Sequence, residues 1–224
     1  MTVLLVLTTF AVFLMVDDFL TRRQPVQVAA PEAHVPVVAP LKLEPAWVAG
    51  FQLPEALHYH RGHTWALPED DGTVRVGLDD FGRRLLGSAN GIQTPEPGAW
   101  LSQGERGAAV RVDGREAELV SPIEGEVVMV NPELGARPQL VTDDPYGRGW
   151  LFKVRPSNLS SNLRNLMSGS LARRFTEDSR EALDMRLMAL SGSVLQDGGE
   201  PVADFALHLP TEEWRRLVGE FLLT

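Results

Sequence analysis

From residue 59 to residue 156, apolar and polar residues alternate in short runs. "GTVRVGL" sets Val74 and Val76 on one face and Arg75 on the other, the period of two expected of a strand. Residues 104–125, "GERGAAVRVDGREAELVSPIEG", carry two valine-containing arms that meet at Asp113-Gly114. Asp-Gly between strands predicts a two-residue hairpin in a type I′ turn, because both central positions need positive φ. "SPIEGEVVMVN" follows through a Pro turn as a further strand, and "GAWLSQGERG" and "GWLFKVRP" add others. "DDFGRRLLG" breaks the alternation and predicts a short helical turn with Phe81, Leu85 and Leu86 on one face. Closely spaced strands punctuated by Gly and Pro predict a small β barrel or sandwich.

After Pro156 the pattern becomes helical. Leu159, Leu163, Leu166, Met167, Leu171 and Phe175 recur near helical spacing, and Leu183, Leu187 and Leu190 continue it. "PTEEWRRLVGEF" offers Thr211 as N-cap and Glu212-Glu213 in the first turn, where carboxylates suit the helix dipole. Its apolar stripe is Trp214, Leu217, Val218 and Phe221. A stripe of this kind either packs on the protein's own β region or presents anchors to a partner. The fold class expected is therefore mainly β with a helical extension over residues 158–224.

Upstream, residues 1–20 are the most apolar stretch, "MTVLLVLTTFAVFLMVDDFL". The uncharged part, Met1 to Val16, spans about 24 Å as a helix, and adding Phe19 and Leu20 brings it to the length of a transmembrane anchor. A cleavable signal peptide is the rival, but there is no basic n-region, and Ala29-Ala30 comes late. An uncleaved single-pass anchor is expected, with Arg22 and Arg23 directing the body to the cytoplasmic side. Residues 21–50, "QPVQVAAPEAHVPVVAPLKLEP" among them, read as a Pro-rich semi-rigid tether, unless the part near Trp47 and Phe51 docks as an edge strand.

The formal net charge of −9 argues against a nucleic-acid partner. There is no cysteine, which removes disulfides, thiolate metal sites and cysteine nucleophiles. Lysine is scarce, with only Lys42 and Lys153. "HYHRGH" places His58 and His60 on one strand face, and with His63 they make a weak zinc or copper candidate; a metal-dependent enzyme is the least favoured functional class. "PEDDG" and "TDDPYG" pair carboxylates beside Gly or Pro and read as turns. "DGG" at 197–199 lacks the lysine of a phosphate loop. No catalytic residue and no cofactor are expected.

Four stretches, "YHRGHTW" (Tyr59, His63, Trp65), "VRVGLDDFGRRLLG", "SPIEGEVVMVN" and "DDPYGRGWLFKVRPS", resemble the glycine cleavage system H-protein family, the lipoyl carriers that shuttle an aminomethyl group between enzymes. The resemblance implies a barrel-sandwich hybrid of the lipoyl/biotinyl type over residues 51–157, with the modified lysine on a hairpin tip. It also gives His63 a counterpart within the family. Counting forward from Gly104-Glu105 or back from Pro122 puts the acceptor position at Gly114. Arg115, the nearest basic residue, keeps its proton and is no acylation nucleophile. The chain is most similar to a membrane-tethered subgroup that lacks the lipoyl lysine. The subgroup brings no activity with it, and the function expected is that of a non-catalytic interaction or scaffold subunit of a membrane-associated complex, its partners being other protein subunits. The alternative is a carrier-type module of glycine cleavage or one-carbon metabolism that uses another modification or receives a partner's lipoyl arm. A partner is expected at the tip and last helix, through Arg111, Asp113 and Arg115 as a charged rim and Trp214, Leu217 and Phe221 as anchors.

Overall fold

Valines at alternate positions line the centre of the molecule. In the computed structural model, which describes residues 46–191, 206 and 209–223 together with Met15, Val74, Val76 and Leu78 have no solvent exposure. They belong to β5 (Val74–Leu78), preceded by β3 (His58–Tyr59) and β4 (Thr64–Pro68). With β7 (Trp100–Leu101), β10 (Gly125–Val130) and β11 (Phe152–Pro156) these strands form a six-stranded antiparallel sheet in the order β3-β4-β5-β11-β10-β7. A three-stranded sheet, β6-β8-β9, is built from β6 (Gly91–Gln93), β8 (Arg106–Val112) and β9 (Arg115–Val120). β1 (Trp47–Val48) and β2 (Phe51–Gln52) pair as a separate ribbon. Inward residues of both larger sheets, among them Val110, Leu119, Val127, Phe152 and Val154, belong to one core. Each such side chain adds about 1.5–3 kcal/mol of burial.

The alternation at Arg75 holds, but its face is not open to water. Arg75 is 4% exposed and its guanidinium lies 5.8 Å over the Trp150 ring. α1 (Asp80–Leu86) starts where the alternation breaks, because Asp79 Oδ1 accepts the Gly82 N–H at 2.8 Å and caps the first turn. Phe81, Leu85 and Leu86 point into the core as their spacing predicts. α2 (Leu140–Asp143) is a single turn whose following loop brings the Tyr146 hydroxyl to Gln52 O at 2.7 Å.

Past β11 come α3 (Leu159–Arg164), α4 (Gly169–Ser191) and α5 (Thr211–Leu222). Between α3 and α4, Met167 exchanges backbone hydrogen bonds with Tyr59 and covers the β3 edge. On α4 the leucine spacing holds at Leu183 and Leu187 and fails at Leu171. Leu171 is 58% exposed, whereas Ala172, Thr176, Ser179 and Leu183 are buried. Small residues let the helix lie close, and the Thr176 hydroxyl is satisfied by Ala172 O at 3.0 Å. Thr211 does not cap α5; Pro210 holds the N-cap position without a side-chain bond. Apart from Met15, the expected anchor at residues 1–20 lies outside the described residues, as does nearly all of the tether. Among the described residues no helix is long and apolar enough to cross a membrane.

Candidate functional site at the hairpin tip

The β8–β9 register closes on Val112↔Arg115 and leaves Asp113 and Gly114 as the turn. Their φ values are 49° and 75°, both left-handed as a type I′ turn requires. Both residues are exposed. A Cβ added at Gly114 meets nothing within 4 Å, so the position has room for a side chain. Behind the tip, Arg111 and Glu116 face each other on the outer surface at 3.6 Å, and Gln93 Nε2 donates to Glu116 at 3.3 Å.

Arg115 does not join this rim. It turns to the other face of the sheet, half-buried, with its guanidinium 5.5 Å over the Trp214 ring, a cation–π arrangement. Trp214, Leu217 and Phe221, expected as partner anchors, are 2%, 3% and 8% exposed. They belong to the core together with Val218 and Leu222. This corrects the docking expectation: the stripe of α5 is already buried against the protein's own β9 and α1, and the side chains available at the tip are Arg111, Asp113 and Glu116.

The three histidines do not converge. His63 sits outside the strand in a left-handed conformation, φ 56°, at the end of the 60–63 turn. Its Nδ1 is 2.8 Å from Asp79 Oδ2, and its ring stacks on Phe81 at 4.1 Å and on Phe175 at 5.0 Å. His60 Nδ1 accepts the Gly62 N–H at 3.0 Å. Burial lowers the pKa of His58 and of His60, and the nearby Arg61 and His63 lower that of His60 further. Among the described residues no group of three His, Asp or Glu side chains is placed to hold a metal ion.

A buried charge cluster was missed by pattern reading. Lys153, 8% exposed, reaches Glu69 Oε2 at 2.5 Å, and Glu69 Oε1 also takes Arg75 Nη2. The signal was the lysine within the apolar run "WLFKVRP", where a charge needs a partner. Lys42 lies outside the described residues. The carboxylate pairs serve their turns: Asp71 Oδ1 accepts from Thr73 N at 2.9 Å and Thr73 Oγ1 at 2.6 Å, and Asp144 Oδ2 accepts from Arg148 N at 2.8 Å.

The family model of the glycine cleavage H-protein matches residues 57–179, more than half of the chain. The chain belongs to the glycine cleavage H-protein family. It is 37% identical over 120 residues to a probable glycine cleavage system H protein of Pyrococcus horikoshii, covering 54% of this chain and 89% of the relative. Identity to the glycine cleavage system H protein of Teredinibacter turnerae is 40% over 104 residues, 46% of this chain and 80% of the relative. The relative from Mycobacterium avium is 41% identical over 109 residues, 49% and 83% of the two chains. A crystal structure of a glycine cleavage system H protein from Mycobacterium marinum is 29% identical, covers 57% of this chain and 98% of that chain, and gives a TM-score of 0.47. The segment matched to the H-protein family contains the tip, the His63 turn and the Glu69 cluster. It ends within α4, and α5 lies beyond it.

Proposed function

We propose that this chain is a non-catalytic, non-lipoylated H-protein-like interaction subunit, built on the barrel-sandwich hybrid of lipoyl/biotinyl-type carriers and working at a membrane. The observation that carries the reading is the tip itself. Gly114 stands where the resemblance puts the acceptor lysine, in a two-residue turn with φ values of 49° and 75°. Among the described residues no lysine stands at the tip. Arg115 is stacked on Trp214, and Lys153 is tied to Glu69 on the other sheet. The mixed charges at the tip suit contact with another protein subunit. The apolar residues 1–20 supply the membrane attachment, and Arg22 and Arg23 favour a cytoplasmic body. The identity to named H proteins favours the second reading, a carrier-type module that uses another modification or receives a partner's lipoyl arm.

Intact-mass measurement after co-expression with an active lipoyl ligase separates the two in part. The expected result is the unmodified mass, and a lipoyl adduct on any residue refutes the proposal. Another adduct on protein purified from its own membranes supports the carrier reading. The membrane claim requires that the full chain sediment with membranes and keep residues 1–20 on N-terminal sequencing. A phosphatase fusion at Thr224 reports the side on which the body lies.

A further inference from the structure

The last helix buries its apolar face against β9 and α1. α5 runs along the inner side of β9, from the tip to the 60–63 turn. At one end Trp214 lies under Arg115. At the other, the Phe221 ring is 5.1 Å from Phe81 and 6.4 Å from His63. Leu222 O comes so near Gly62 that a Cβ there would be 2.8 Å from it. The buried residues Trp214, Leu217, Val218 and Phe221 stand at i, i+3, i+4 and i+7, the spacing by which amphipathic helices seat in apolar grooves. α5 is also an addition to the segment matched to the family, which ends at residue 179.

Two buried donors at the seam lack acceptors. Trp65, buried within the β body, donates its indole N–H to Leu78 O at 2.9 Å. Trp214 is equally buried, yet its Nε1 has no acceptor, and neither has Arg115 Nη1 beside it. Buried donors without acceptors weaken the contact that buries them. Next to Trp214 a cleft of about 270 Å³ remains between β9 and α5, lined by Ala117, Glu118, Val218 and Gly219 among others. The polar tie from Glu220 to Arg186 of α4, 2.8 Å, is exposed and adds little.

We propose that the surface formed by β9, α1 and the 60–63 turn is a helix-binding groove, and that α5 occupies it in cis as a displaceable lid beside the tip. The competing partner is an amphipathic helix with aromatic anchors at i and i+7. This goes beyond the functional proposal above and holds whether or not the tip is modified.

The test uses the full chain and a labelled peptide of residues 209–224. In the Trp214→Ala chain the cis helix is weakened, and the peptide is expected to bind saturably, about tenfold tighter or more than to the parent chain. The same peptide carrying Trp214→Ala does not bind. A Trp214→Ala chain that keeps its β circular dichroism and ignores the peptide overturns the proposal. If that variant loses its β signal, hydrogen exchange of the parent chain decides. α5 amides are expected to exchange about tenfold faster than those of β5. Exchange of α5 and β5 as one unit overturns it.

Discussion

Replacing Glu69 by Gln removes one charge and strands two. The Glu69 carboxylate is shared by Arg75, whose side chain is 5% exposed, and Lys153, whose side chain is 10% exposed. Gln keeps the size, and its carbonyl oxygen can still accept from one of the two cations, so the loss is electrostatic. Breaking a buried pair from one side costs about 3–5 kcal/mol, because the remaining charge stays desolvated. Glu69 itself is 16% exposed, which lets water relieve part of that, so the lower end, about 3 kcal/mol, is expected. At about 2–4 °C per kcal/mol for a protein of this size, the melting temperature drops by roughly 6–12 °C. Thermal and urea unfolding of the variant measure both quantities. Arg106→Ala is the control: its partner Glu118 is 2.7 Å away, but the side chains are 67% and 32% exposed, and about 1 kcal/mol or less is expected. A Glu69→Gln melt indistinguishable from that of Arg106→Ala refutes the argument that Lys153 is a buried, engaged cation.

Two further perturbations read the region where α5 meets the β body. Gly62→Ala forces a Cβ to within 2.6 Å of Val120 Cγ2 and 2.8 Å of Leu222 O; overpacking of this kind costs about 1–3 kcal/mol, and an unchanged urea midpoint contradicts the close approach. The lowered pKa values of His58 and His60 mean that the unfolded chain binds more protons than the folded one below about pH 6.5. Stability is therefore full above that pH and declines as the pH falls from about 6.5 through the lowered folded values. Protonating His60 Nδ1 also removes the acceptor of the Gly62 N–H. His60→Asn, which keeps an acceptor there, is expected to flatten the decline in melting temperature between pH 7 and pH 5, and an unaltered slope counts against it.

The local pattern was a sound guide wherever one residue's neighbours in sequence settle its conformation. Asp113-Gly114 tolerates two positive φ values, and the hairpin forms there with the expected turn. The short helix 80–86 begins at the aspartate that caps it, and its apolar residues point inward. The α5 stripe Trp214, Leu217, Val218 and Phe221 is one face of a helix, and that too is a local matter of period. The same periodicity is compatible with a partner or with the protein's own body, because a stripe records which side avoids water and not what covers it. Only the packed structure decided that β9 and α1 cover it. Only packing drew Arg115 off the rim and under-satisfied it on Trp214. On α4 the small residues Ala172, Thr176 and Ser179 face inward while Leu171 faces water, since close approach of two backbones favours small side chains over large ones. Lys153 lies far in sequence from Glu69 and Arg75, and a long-range charge pair leaves no periodic trace. The sequence by itself thus determined the strands, the turn and the absent lysine at the tip; the tertiary structure decided which faces meet, because that depends on surfaces distant along the chain.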